Sequence, residues 1–243
     1  MTKSSADKQT ASLAAENQLQ PSEQGIPTVP EALLIGITGG IGTGKSAVSS
    51  LIQEHGFPVL NADAIARELM QSDPEIMDEL KDAFGQEVYL QDGILNTAYL
   101  ASCVFGAANQ QKLRILNSIV HPIMLDELFA RALELAEQGS TMICIEMALL
   151  YEIELEEGFD YIIGVDCSKE VRIQRLLKKG MDLAQIEARM AAQVNPAEIQ
   201  GKADFMIDNS GTLEQLRSSV DMLMNIIPFL PSRNEQEDQE NIN

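Results

Sequence analysis

Leu33-Leu34-Ile35-Gly36-Ile37-Thr38-Gly39-Gly40-Ile41-Gly42-Thr43-Gly44-Lys45-Ser46 is one run in which a short apolar strand passes into a complete G-x-x-x-x-G-K-S phosphate-binding motif. Downstream, Ala47, Val48, Leu51 and Ile52 recur at helical spacing, so the motif sits between a strand and a helix, as its chemistry requires. A loop that wraps phosphate oxygens must turn backbone N–H groups inward through dihedrals that glycine adopts cheaply, and Gly39, Gly42 and Gly44 supply that freedom. The helix that follows adds unpaired amides and its dipole. Lys45 is expected to reach the β- and γ-phosphates and the Ser46 hydroxyl to ligate Mg²⁺, which makes a nucleotide triphosphate the expected ligand. Gly39, Gly40, Ile41, Gly42, Thr43, Gly44, Lys45, Ser46 and Ala47 form the expected nucleotide-binding set.

Outside the loop, composition sets limits. A chain of 243 residues, 45% hydrophobic and 22% charged, is long enough for one globular domain with a smaller appendage. It has no run of about eighteen apolar residues and opens on polar sequence without an apolar signal segment, which predicts a cytoplasmic protein without membrane association. Cys103, Cys144 and Cys167 are widely spaced, and the last two lie in apolar runs, a pattern of reduced core thiols rather than disulfides or a metal cluster. His55 and His121 are the only histidines, too few for a histidine-rich metal site. The formal net charge of -20 argues against general nucleic-acid binding, which needs basic surface. The few positive charges gather at Arg172, Arg175, Lys178, Lys179 and Arg189. That cluster is either a solvated helix face or a lid, residues 172–193, that closes over phosphate.

Along the chain, residues 1–31 and 229–243 are polar and lack a sustained apolar period, so they are expected to be a disordered leader and tail. Between them, over 32–228, strands alternate with helices, the pattern of an α/β fold with a five-stranded, mainly parallel sheet covered on both faces. Val59 to Asn61 is the second expected strand, with Asp63 beyond its carboxyl end. Asp73-Pro74 starts a helix that Gly85 ends. Two helical stretches, about Thr97 to Phe105 and Asn109 to Ile119, precede His121-Pro122, which is expected to open a separate long helix to about Gln138. Residues 74–138 thus form a helical insertion. Thr141 to Met147, Tyr161 to Val165 and Phe205 to Ile207 are the remaining strands, and Ser168 and Thr212 cap the helices after the last two. Ligands of such sheets lie beyond the strand carboxyl ends, where Asp63, Glu146 and Asn209 join the loop.

With these residues in view, the chain from about 33 to 226 resembles the dephospho-coenzyme A kinases, a family of P-loop small-molecule kinases. The resemblance is carried by the loop, by Asn61-Ala62-Asp63 with Ile65-Ala66-Arg67, by Ile119-Val120-His121-Pro122, by Leu149-Leu150-Tyr151-Glu152, by Arg189 with Gln193, and by Ala203-Asp204 through Asn209 and Gly211. It implies transfer of the ATP γ-phosphate to the ribose 3'-hydroxyl of dephospho-coenzyme A, the last step of coenzyme A synthesis, with Mg²⁺ as cofactor. Asp63 falls on the family's proton acceptor, a role that a strand-end carboxylate opposite a phosphate loop can fill. Asp63 could also cap the helix that follows, although the catalytic reading is favoured. By the same resemblance Arg67, His121, Leu149 and Glu152 belong to the acceptor side, Asn209 flanks the adenine, and Arg175 and Arg189 belong to the lid. Lys178 and Lys179 are expected to neutralise transferred charge. Three positions depart from the pattern: Asn61 replaces an aspartate, Ala148 a proline, and the two lysines an arginine. Lysine lacks the planar fork that grips phosphate bidentately.

The partners expected are therefore ATP and dephospho-coenzyme A, with the protein a monomer or weak homo-oligomer. Another small P-loop kinase, acting on a nucleoside, nucleotide or polyol, shares the loop and lid, but the motifs after residue 119 argue against it. A guanine-specific switch protein would carry an Asn-Lys-x-Asp motif, and no Asn-Lys pair occurs in the chain. A non-catalytic nucleotide-binding regulator is the reading that the three departures motivate.

Overall fold

A computed structural model describes residues 32–104, 109–191, 193 and 196–233. The expected leader, 1–31, lies outside the described residues, as do 234–243 of the expected tail. Five strands, β1 (Leu33–Thr38), β2 (Val59–Asn61), β3 (Met142–Glu146), β4 (Tyr161–Asp166) and β5 (Phe205–Asp208), form one sheet in the order β2-β3-β1-β4-β5. Every pairing is parallel. The expected mainly parallel sheet is therefore wholly parallel, and its central strands are apolar along their length because helices cover both faces.

Alternation along the strands sorts the core into two layers. Ile35, Ile37, Met142, Cys144, Ile163 and Val165 pack with α1 (Lys45–Glu54) and α9 (Leu213–Met224). Leu34, Ile143, Ile145 and Ile162 face the other way. They meet α2 (Ala62–Ser72), α3 (Pro74–Phe84), α4 (Thr97–Val104) and α5 (Gln110–Glu137). The helices between β2 and β3 thus share one apolar cluster with the sheet, so the insertion is anchored by the same core that holds the strands. After β4 in the chain come α6 (Lys169–Lys178), α7 (Leu183–Ala191) and α8 (Pro196–Lys202).

The helix signals are read as written at three starts. Asp73 accepts from the Ile76 amide, Ser168 from the Val171 amide, and Thr212 closes a reciprocal capping box with Gln215. The region before β3 differs from expectation. His121-Pro122 does not open a new helix, because Pro122 lies inside the continuous 28-residue α5. Proline there removes the N–H that would pair with the Ser118 carbonyl. The helix persists because Val120, Met124, Leu128 and Ala132 bury one face on both sides of the proline, and that packing outweighs a local cost of about 3 kcal/mol.

All three cysteines are free thiols, with Cys144 and Cys167 buried as their apolar context implies. Among the described residues, no helix is long and apolar enough to cross a membrane, and no group of three or more His, Cys, Asp or Glu is placed to hold a metal. Pro122 is exposed, so Pro122→Ala should raise the thermal unfolding midpoint, the gain being at most about 3 kcal/mol. A lowered midpoint would show that the ring makes contacts the fold depends on.

Candidate active site

The loop between β1 and α1 takes its shape from contacts behind it. Gly39, Gly42 and Gly44 have φ of 148°, 80° and 99°, the range in which glycine is nearly free of strain. The Ile41 carbonyl accepts from Arg172 Nε at 3.0 Å. Two donors hold the Thr43 carbonyl, Asn209 Nδ2 at 2.8 Å and Arg175 Nη1 at 3.0 Å. Because a trans peptide points its C=O and N–H in opposite directions, anchoring these carbonyls turns the Gly42 and Gly44 amides away from their anchors. Gly44 is also the N-cap of α1 and offers no side chain, which leaves that helix's first amides to a ligand. Lys45 Nζ donates to the Gly39 and Gly40 carbonyls at 2.7 and 3.4 Å.

Three carboxylates surround this lysine. Glu146, Asp63 and Glu152 each favour its charged form, but burial outweighs them and the net effect lowers its pKa. Glu146 is the tightest held. It ends β3 in register with Ile37 of β1 and Asn61 of β2, and it is buried. Ser46 Oγ donates to its Oε1 at 2.9 Å and Ser49 Oγ to its Oε2 at 2.8 Å. The motif serine and a buried carboxylate thereby form an all-oxygen pair, the donor type that Mg²⁺ selects.

Asp63 occupies the second position of α2, and it is not the helix cap. Asn61 is: its Oδ1 accepts the Ala64 amide at 2.8 Å. The departure from aspartate at this position therefore keeps a good cap and leaves the Asp63 carboxylate uncommitted to the helix. Asp63 is exposed, yet enough protein surrounds it that desolvation raises its pKa, with Glu146 acting in the same sense and Lys45, Arg67 and His121 opposing. Asp63 thus lies within electrostatic reach of α5 as well as of the loop. His121, half-buried on α5, is held below its usual pKa by burial, while Asp63 pulls upward. Leu149 and Glu152 lie in the turn 148–154 after β3, Leu149 half-buried and Glu152 exposed.

The basic segment divides in two. Arg172 and Arg175, one turn apart on α6, lie against the loop, and Arg175 Nη2 also donates to the Asn209 carbonyl at 2.8 Å. Arg175 braces the back of the loop here, where a lid residue was expected. Asn209 does the same from the end of β5, buried beneath Thr43. Lys178 and Lys179, expected to act on the transferred group, are exposed at the C-terminal end of α6, and Arg189 is exposed on α7. One contact does cross the loop from beyond α7: Gln193 Oε1 accepts the Ile41 amide at 2.7 Å. Sequence reading gave no role to Glu146 beyond its place at the sheet edge, and none to Ser49 or to Arg172 individually. The available signals were a lone carboxylate closing an apolar strand, and two arginines spaced i, i+3 so that both face one surface.

A parallel sheet of this order, with a phosphate loop after the central strand and a carboxylate at the next strand's end, defines a P-loop kinase. The dephospho-CoA kinase family profile matches residues 33–215. A dephospho-CoA kinase of Corynebacterium efficiens is 39% identical over 194 residues, covering 79% of this chain and 96% of its own. A Thermus thermophilus crystal structure superposes with a TM-score of 0.67 at 30% identity, over 81% of this chain and 98% of that one. The Campylobacter jejuni dephospho-CoA kinase has the same fold, with a TM-score of 0.60 at 21% identity over 80% and 96% of the two chains. The chain belongs to the dephospho-CoA kinase family.

If Asn61 carries the cap, Asn61→Ala should cost about 1 kcal/mol in thermal or urea unfolding. Asp63→Asn should leave the midpoint within a few tenths of that scale. Comparable destabilisation by both substitutions would return Asp63 to a structural role.

Proposed function

We propose that the chain transfers the γ-phosphate of ATP to the ribose 3'-hydroxyl of dephospho-CoA, as a cytoplasmic enzyme using Mg²⁺. The observation that carries this reading is Asp63: a carboxylate released from capping by Asn61, facing Lys45 and Glu146 across the sheet edge. Membership of the family supplies the acceptor's identity.

In this mechanism Asp63 takes the proton of the acceptor hydroxyl. Its oxygen forms a bond to the γ-phosphorus as the bond to the β,γ-bridging oxygen breaks, leaving ADP. The raised pKa of Asp63 makes its carboxylate a better proton acceptor than that of an ordinary aspartate. Lys45 exchanges its contacts with Gly39 and Gly40 for β- and γ-phosphate oxygens and stabilises charge that grows in the transition state. Ser46 and Glu146 would hold Mg²⁺, and Ser49 keeps the Glu146 carboxylate turned toward Ser46. An ion held there would supply positive charge to offset that of the nucleotide phosphates. Arg67, His121, Leu149 and Glu152 border the acceptor, whereas Asn209 and Arg175 fix the loop on the adenine side. Lys178, Lys179 and Arg189 act on closure of the segment from α6 to Gln193.

ADP release from Mg-ATP should rise with dephospho-CoA and stay at background with AMP, shikimate or gluconate. Stimulation by one of those acceptors would overturn the assigned substrate. Two pH limits follow from the shifts. Asp63 must be ionised, and its pKa is raised, so the acidic limb of kcat/KM should lie above the ordinary carboxylate range. Lys45 must be protonated, and its pKa is lowered, so the alkaline limb should fall below the ordinary lysine range. Asp63→Asn should remove the acidic limb and lower kcat by about 10²-fold or more, with ATP affinity retained. Persistence of that limb in the variant would sink the assignment.

A further inference from the structure

Ser50, Ser72, Ser218 and Ser219 lie in helices, and each donates its hydroxyl to the carbonyl four residues earlier. Ser49 departs from that habit. It is 6% exposed, and its hydroxyl donates to Glu146 Oε2 at 2.8 Å, 97 residues away. The same helix supplies Ser46 to Glu146 Oε1 at 2.9 Å. Both oxygens of one buried carboxylate are thus bonded to hydroxyls one helical turn apart. Rotating the carboxylate would break both bonds. Its backbone is fixed as well, because Glu146 pairs with Ile37 on one side and Asn61 on the other.

This double anchor divides the carboxylate. Oε2 is committed to buried Ser49, and Oε1, beside the exposed Ser46, is the oxygen left to meet an ion. Contact through one oxygen separates two hard cations. Ca²⁺ takes carboxylates through one or two oxygens in a flexible shell at about 2.3–2.6 Å, whereas Mg²⁺ demands a near-ideal octahedron at about 2.0–2.1 Å. Neighbouring ligands of that octahedron lie about 2.9 Å apart, against about 3.3–3.7 Å for ligands at right angles around Ca²⁺. Ser46 Oγ and Glu146 Oε1 are held 2.9 Å apart. Without Ser49, the carboxylate could turn to offer both oxygens or widen that gap.

We propose that Ser49 is a positioning residue that sets the metal preference of this site, confining Glu146 to one-oxygen contact at the Mg²⁺ spacing and disfavouring Ca²⁺. The inference rests on the reading of Mg²⁺ at Ser46 and Glu146 and goes beyond it by naming the residue that discriminates between ions. A serine that only packs in α1 would support every form of the nucleotide alike, which separates the two roles. ADP, which avoids turnover, should be titrated calorimetrically in saturating Mg²⁺, in saturating Ca²⁺ and in EDTA. The proteins compared are the wild type, Ser49→Ala and Ser49→Thr, with thermal unfolding alongside. Alanine is the residue a helix accepts most readily, so Ser49→Ala removes the hydroxyl without cost to the propensity of α1.

The wild type should bind ADP more tightly in Mg²⁺ than in Ca²⁺. Ser49→Ala should lose about tenfold in Mg²⁺, the scale for removing a group that orients a metal ligand, while affinity in Ca²⁺ or EDTA changes less than about twofold. Ser49→Thr keeps the hydroxyl and should restore the wild-type ratio. An unchanged ratio of Mg²⁺ to Ca²⁺ affinity in Ser49→Ala, or equal loss in all three solutions, overturns the role. Ser49→Ala decides the question alone if Ser49→Thr does not fold. A wild type that binds ADP equally in Mg²⁺ and in EDTA would instead refute Mg²⁺ at Ser46 and Glu146.

Discussion

The phosphate loop depends on having its carbonyls held from behind. Arg172, Arg175 and Asn209 come from the elements after β4 and β5, and together they fix the Ile41 and Thr43 carbonyls. Peptide planarity converts those bonds into inward-facing amides on the opposite side. Glycines permit the loop's dihedrals, but permission leaves many shapes accessible; the three side chains select one. A site built this way has little to reorganise when an anion arrives, which is how fixed dipoles stabilise developing charge best.

The two-layer core extends that constraint to the rest of the site. Residues on one face of β1 and β3 pack on α1 and α9, and residues on the other face pack on α2 and α5. The loop lysine and serine therefore start from a helix on one side of the sheet, and Asp63 and His121 from helices on the other. They meet at the carboxyl edge, where Ile37, Asn61 and Glu146 lie in one register row. Neither half can shift along the strands without breaking that row.

Much of this was legible from the residues. The loop motif, the alternating strands and three helix caps depend on local chemistry, and local chemistry is what a sequence displays. Pro122 misled because a proline's local cost is visible while the burial of Val120, Met124 and Leu128 around it is a tertiary fact. Arg175 misled in another way. A basic helix face looks the same whether it will cover a phosphate or grip the loop beneath one, and only three-dimensional placement separates the two. Asp63 stood open between cap and catalyst, and the capping half of that question was decided two residues earlier by Asn61, whose amide oxygen takes the cap.

That substitution has a consequence for how the protein responds to acid. An aspartate cap is strongest when ionised and weakens when protonated, whereas an asparagine amide has no proton to gain across the physiological range. With Asn61 in place, the first turn of α2 keeps its anchor whatever the charge on Asp63 two residues on. Titration of the Asp63 carboxylate is thereby insulated from unwinding of the helix that carries it, and acidified protein should recover its fold at once when the pH is restored.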